Sequence, residues 1–225
     1  MSSSKTIRWT LKSLALASIL GGGLAITLPA AAEEAQKAAA SEPPKPLAIG
    51  ATVPMADVKM KNVDGSEVSI AGVKGEKGTL VVFTCNACPW AQAWHSRIVA
   101  LGNKAAKKGI AVIAINSNDP GVVAADDYAP MQENAKKSKM GFPYVVDGTS
   151  DVARAFGATR TPEAFLFDRE GKLVYHGAID DNAKQPDKVK DRYLDQAVTA
   201  VLDGKAVALQ ETKALGCSIK FRART

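Results

Sequence analysis

An unbroken apolar run at residues 79–84, "TLVVFT", ends directly on Cys85 and continues as Asn-Ala-Cys88-Pro89. A run this apolar and rich in β-branched residues reads as a strand buried on both faces. Beyond the cysteines Ala91, Trp94, Ile98, Leu101 and Ala105 recur at spacings of three and four, which makes one apolar face of a helix that Gly109 is expected to close. Pro89 fits the first turn of that helix, where its missing N–H costs nothing. A buried strand feeding a helix through Cys-x-x-Cys restricts the chain to an open α/β sheet, because such sheets present reactive groups at the carboxyl ends of their strands. The helix start also favours a thiolate. On this placement Cys85, at the outer end of the turn, is the expected nucleophile, and Cys88, nearer the core, resolves a mixed disulfide.

The remaining elements fit the same class. Two β-compatible runs flank Asp64-Gly65, the strongest short hairpin pattern, so an N-terminal β-hairpin is expected. Strands at 110–116 and 142–147 alternate with helices around 130–139, closed by Gly141, and at 151–156, ended by Gly157. Strand and helix in alternation argue a sheet covered by helices. "EAFLFD" and "KLVYHGAI" read as antiparallel strands joined by the turn "DREG". A last helix, with Val189, Tyr193, Ala197 and Val201 on one face, stops at Gly204.

Residues 1–32 carry Lys5, Arg8 and Lys12, then an apolar run, then "LPAAA", the pattern of a cleaved export signal. Their removal leaves 26 basic against 23 acidic residues, a mild balance scattered along the chain, so a nucleic-acid partner is not expected. The signal's apolar stretch is short for a span, so no stable membrane segment is expected after cleavage, and the periplasm or an equivalent compartment is the expected location. Residues 33–46 read as a flexible lead-in rich in Ala, Pro and charge. Residues 47–225 then form one domain.

The three cysteines, Cys85, Cys88 and Cys217, leave an odd thiol over, which a purely structural disulfide framework would not. Closing the four-residue Cys85–Cys88 loop would stabilise the fold by only about 2 kcal/mol, against about 5 for a Cys85–Cys217 bridge, so the short pair suits exchange better than stapling. Haem attachment requires His after the second cysteine, where Pro89 stands. Zinc would need further ligands at local spacing, and His95, His176 and Cys217 are dispersed. The pairs Asp126-Asp127 and Asp180-Asp181 read as caps and turns. Thr161-Pro162, directly before a strand, can hold a cis peptide bond. Thr161 and Trp90 are the candidate lining of a substrate groove, and the backbone beside Pro162 is expected to be open to an extended substrate strand.

Together "VVFTCNACPW", "AINSND", "FPYVVD", "FGATRTPEAFLFDREGKLVYHGAIDD" and "ALGCSIKF" resemble the thioredoxin-like, peroxiredoxin-like branch of the redoxin family over residues 47–221. The resemblance implies a thioredoxin fold, a central mixed β-sheet flanked by helices, with Cys85 at the place of the attacking cysteine and Pro162 at that of the cis-proline. It implies no assigned substrate; the Cys-x-x-Cys pair at a strand-to-helix turn makes an antioxidant or thiol-disulfide oxidoreductase acting on protein or small-molecule disulfides the expected function, with an electron donor or acceptor as second partner and no cofactor. Peroxiredoxins carry Pro and Thr seven and three residues before the peroxide-attacking cysteine; relative to Cys88 this chain has Val81 and Cys85, so at most weak peroxidase activity is expected. Arg160 lies near the family's activating Arg but at a different distance from the next strand, and reads as a loop residue. Cys217 is a candidate third redox thiol. The alternative is a metallochaperone holding Cu(I) between Cys85 and Cys88 with His176 or Cys217 added, since soft thiolates select Cu(I).

Overall fold

The computed structural model describes residues 44–224; the export signal expected at residues 1–32 and most of the lead-in lie outside the described residues. Strands β1 (Met60–Asn62) and β2 (Glu67–Val68) form the expected hairpin. Its turn places Gly65 at φ 91°, in the left-handed region that favours glycine, and the Ser66 N–H donates to Asp64 Oδ1 at 2.8 Å. Next come β3 (Gly78–Phe83), α1 (Pro89–Ala106), β4 (Ile110–Asn116), α2 (Tyr128–Ser138), β5 (Tyr144–Val146) and α3 (Asp151–Phe156). The short β6 (Arg160–Thr161) precedes β7 (Glu163–Asp168), β8 (Leu173–Gly177), α4 (Tyr193–Leu202) and β9 (Cys217–Ser218).

Seven strands make one sheet in the order β2-β1-β5-β4-β3-β7-β8, with β3, β4 and β5 parallel and the flanking strands antiparallel. This is the mixed sheet of the thioredoxin fold, with β3 inside it between β4 and β7. Because side chains alternate along a strand, β3 splits the core. Leu80 and Val82 join Trp94, Ile98, Val112, Tyr144, Leu194 and Val198 on the face covered by α1, α2 and α4. Val81 and Phe83 join Ile113, Val145, Phe156 and Phe165 on the other face, where α3 and Ile219 of the tail also pack. All six residues of β3 are buried, as its composition requires. No helix among the described residues is long and apolar enough to cross a membrane.

Two helix ends differ from expectation. α2 is closed by Lys139 at φ 55°, not by Gly141. The Gly141 N–H is instead taken by Asn103 Oδ1 of α1 at 2.8 Å, and Asn103 Nδ2 donates to the Lys139 carbonyl at 3.0 Å, so a tertiary contact fixes the turn. α4 begins only at Tyr193 and buries Leu194, Ala197 and Val198. Val189 lies ahead of it, at the end of a short 3-10 turn begun by Pro186, and so outside the helix, while Tyr193, Ala197 and Val201 pack on the core beside Leu194 and Val198.

The C-terminal segment is fastened across the end of the sheet. β9 pairs antiparallel with β6, with Thr161 opposite Cys217 and Arg160 opposite Ser218. Ile219 is buried in the second core cluster, and its N–H donates to the Thr159 carbonyl at 3.0 Å. The Lys220 N–H donates to Asn118 Oδ1 at 2.8 Å and Arg222 Nη1 to the Asp147 carbonyl at 2.6 Å.

Candidate active site

Cys85 follows the carboxyl end of β3, and Cys88 is the N-cap of α1, with Pro89 in the first turn as its fixed φ favours. Both residues are 4% exposed, so Cys85 is not the outer of the two. Thr161 bridges them from β6: its Oγ1 lies 3.2 Å from Cys85 Sγ, and its carbonyl oxygen accepts from Cys88 Sγ at 3.1 Å. The Thr161–Pro162 peptide bond is cis. Cys217 completes a cluster of three thiols, its backbone N–H pointing at Cys88 Sγ from 3.4 Å. Trp90 packs on the same cluster and stacks on Trp94 with ring centroids 5.9 Å apart.

These surroundings treat the two cysteines of the pair oppositely. The neighbouring Cys85 thiol first, then the Cys217 thiol and the backbone N–H groups of Ala91 and Cys217, lower the Cys88 pKa to about 4 despite burial; of these the Cys217 N–H lies 3.4 Å from Cys88 Sγ. The Thr161 carbonyl opposes this, because it can only accept from a protonated Cys88. On balance these neighbours favour the ionised form, which leaves the charge on Cys88. Cys85 moves strongly upward: its thiol keeps its proton facing Cys88, is buried, and lies near the Asp126 carboxylate. Burial, followed by the hydrogen bond to Cys88, pushes Cys217 up to about 11, while Lys220 and Arg160 pull it the other way.

Asp126 is the site residue that sequence reasoning missed. Its neighbour Asp127 does cap α2, accepting from the Tyr128 N–H at 2.7 Å. Asp126 is buried and turned toward the cysteine loop, where Oδ1 accepts from the N–H groups of Asn86 at 2.6 Å and Ala87 at 3.2 Å. Oδ2 accepts from Asn118 Nδ2 at 2.8 Å. No spacing pattern marks it, since its partners are 40, 39 and 8 residues away in sequence. Asn86 is pinned further by Asn134 Nδ2 and the Tyr144 hydroxyl, which donate to its Oδ1 at 2.8 and 3.2 Å. Asp180 likewise exceeds a turn role: it accepts from Trp94 Nε1 at 2.6 Å and forms an ion pair with Arg97 on α1.

The other candidates fall into place around this cluster. The backbone beside Pro162 is not open to an incoming strand, because Thr161 is already paired with Cys217 of the chain's own tail. Arg160 is exposed, with Nη1 3.4 Å from the Gly216 carbonyl. His176 stacks on Phe165 and shares a 2.6 Å hydrogen bond with the buried Glu163, whose other oxygen accepts from the N–H groups of Thr159 and Arg160 at 2.9 Å. The imidazole nitrogen Nε2 is thus engaged with the carboxylate that holds β6. Among the described residues no group of three His, Cys, Asp or Glu side chains is placed to hold a metal ion.

The sequence profile of the Redoxin family matches residues 48–194. Thiol-disulfide oxidoreductase ResA of Geobacillus thermodenitrificans is 25% identical over 130 residues, 56% of this chain and 67% of that protein. Another ResA, from Halalkalibacterium halodurans, is 23% identical over 51% of this chain and 61% of its own length, so the chain spans about two thirds or less of these curated relatives. Among solved structures, the hypothetical protein SMc02350 from Sinorhizobium meliloti 1021 superposes with a TM-score of 0.72 at 35% identity, covering 80% of this chain and 98% of that one.

Proposed function

The chain belongs to the redoxin family of oxidoreductases, and we propose that it is a thiol-disulfide oxidoreductase working through Cys85 and Cys88, with Cys88 as the attacking thiolate. The observation that carries this reading is the placement of Cys88 Sγ at the start of α1, in a cluster with two other thiols and with the Cys217 backbone N–H pointing at it from 3.4 Å, surroundings that lower its pKa. A thiolate so held is ionised at neutral pH, and the thiolate is the attacking species. This reverses the order expected from the turn alone, in which Cys85 attacks. Distance from the core and the helix dipole act within the turn; Asp126 and the tail weigh on the pair from outside it.

In the forward step Cys88 Sγ attacks one sulfur of a substrate disulfide, forming a mixed disulfide and expelling the other half as thiolate. A second thiol of the chain then attacks Cys88 Sγ and releases the remaining half, leaving an internal disulfide that a dithiol partner reduces. An exported setting, as residues 1–32 suggest, would give protein and low-molecular-weight disulfides as substrates.

The first step is tested with an aromatic disulfide that releases a coloured thiolate on attack. Cys88→Ser is expected to slow the initial release by at least about 100-fold, since the remaining thiols are protonated at neutral pH, while Cys85→Ser retains it. The opposite outcome, loss in Cys85→Ser and retention in Cys88→Ser, restores Cys85 as the nucleophile.

A further inference from the structure

The Cys-x-x-Cys pair accounts for two of the three clustered thiols; Cys217 is held beside them by a tail whose every residue from 217 to 220 has a backbone partner or a core contact. Cys217 lies opposite Thr161, the residue that touches both other sulfurs, and its backbone nitrogen is 3.4 Å from Cys88 Sγ. Its side chain packs against the same cluster, which places it within reach of Cys88. Cys85 is tied differently. It is buried, in contact with Thr161 Oγ1 and close to the Asp126 carboxylate, whereas Cys217 is half-buried and has Lys220 and Arg160 nearby.

Building on the reading of Cys88 as nucleophile, we propose that Cys217 is a catalytic thiol that resolves the mixed disulfide on Cys88, and that Cys85 afterwards reopens the resulting Cys88–Cys217 bridge. Once Cys88 is bonded to a substrate sulfur it carries no charge, so its part in holding Cys217 and Cys85 protonated vanishes for both, leaving burial acting on each. Cys85, the more buried of the two, still faces the Asp126 carboxylate, whereas Lys220 and Arg160 favour the Cys217 thiolate. Cys217 therefore ionises first. It attacks Cys88 Sγ; the Cys88–substrate S–S bond breaks, the Cys88–Cys217 S–S bond forms, and the leaving thiolate takes up the proton Cys217 gave up. Over both steps one substrate disulfide is reduced to two thiols and the Cys88 and Cys217 sulfurs are oxidised to one disulfide. Cys85 then attacks Cys88 Sγ in an isomerisation that returns Cys217 to its thiol and leaves the Cys85–Cys88 disulfide, with Cys85's proton transferred to Cys217. The tail strand thus occupies the β6 edge as a built-in partner for Cys88.

The experiment uses the full chain carrying Cys85→Ser, reacted with one equivalent of oxidised glutathione, alkylated and mapped without reduction. Two glutathione thiols released per chain and a peptide pair joined through Cys88 and Cys217 are the expected result. Adding Cys217→Ala to this variant leaves one glutathione on Cys88 and releases only one. In the otherwise native chain Cys217→Ala lengthens the life of the Cys88 mixed disulfide by about 10-fold or more. Glutathione retained on Cys88 of the Cys85→Ser chain, with Cys217 still alkylated, overturns the role of Cys217 and leaves Cys88 as nucleophile. No reaction at Cys88 at all overturns both.

Discussion

Asp126→Asn tests how the cysteine loop is held, because it removes a charge while keeping the shape. Oδ1 remains an acceptor for the Asn86 and Ala87 N–H groups. The other position becomes an amide nitrogen facing Asn118 Nδ2, a donor now 2.8 Å from a donor. Asn118 cannot turn its amide over to accommodate this, because its Oδ1 accepts from the Lys220 N–H of the tail at 2.8 Å. Either the loop or the tail loses its anchor. A buried charge-assisted hydrogen bond contributes about 1.5–3 kcal/mol, so stability should fall by about 2 kcal/mol. At a urea m-value of about 2 kcal/mol/M for a domain this size, the unfolding midpoint drops by about 1 M. Loss of the negative charge beside Cys85 also lowers the pKa of that thiol, the highest of the three. Thiolate absorbance followed against pH should show that step moved downward. An unchanged urea midpoint together with an unchanged upper titration would refute this account of Asp126.

Other outcomes follow from the same contacts. The first-step rate with an aromatic disulfide should be flat from about pH 6 to 8 and fall toward about pH 4, because Cys88 is charged above a pKa of about 4. That pKa lies below the ordinary thiol value, so ionised Cys88 stabilises the fold above the ordinary range and the contribution is lost as pH falls through the folded value; a steep rate rise across about pH 7 to 9 would instead indicate an unperturbed thiol. In Gly216→Ala the new Cβ would lie 2.2 Å from the Thr161 carbonyl oxygen, so β9 must lift from β6. Alkylation of Cys217 in the reduced protein is then expected to quicken, and an unchanged rate would show that the tail tolerates the side chain. Glu163→Ala removes the acceptor of the Thr159 and Arg160 N–H groups and of His176; a loss of about 2–4 kcal/mol in urea unfolding is expected, and a loss under about 1 kcal/mol would mean that water replaces it.

The sequence determined the architecture wherever a pattern is local. The apolar run of β3, the three-and-four spacing of α1, Asp64-Gly65 in the hairpin and "DREG" between β7 and β8 each state a backbone preference that burial then rewards, and each is realised. The cysteine pair was legible for the same reason: its place between strand and helix follows from the elements on either side. Tertiary structure decided what depends on distant partners. Nothing near Lys139 announces that Asn103 will close α2 there, and nothing near Asp126 announces that its carboxylate will face Asn86. The division of labour within the cysteine cluster belongs to this second kind. A thiol's pKa is set by the donors and charges close around it, and Cys217, whose N–H points at Cys88 Sγ, reaches it only when the tail pairs with the strand beside Pro162.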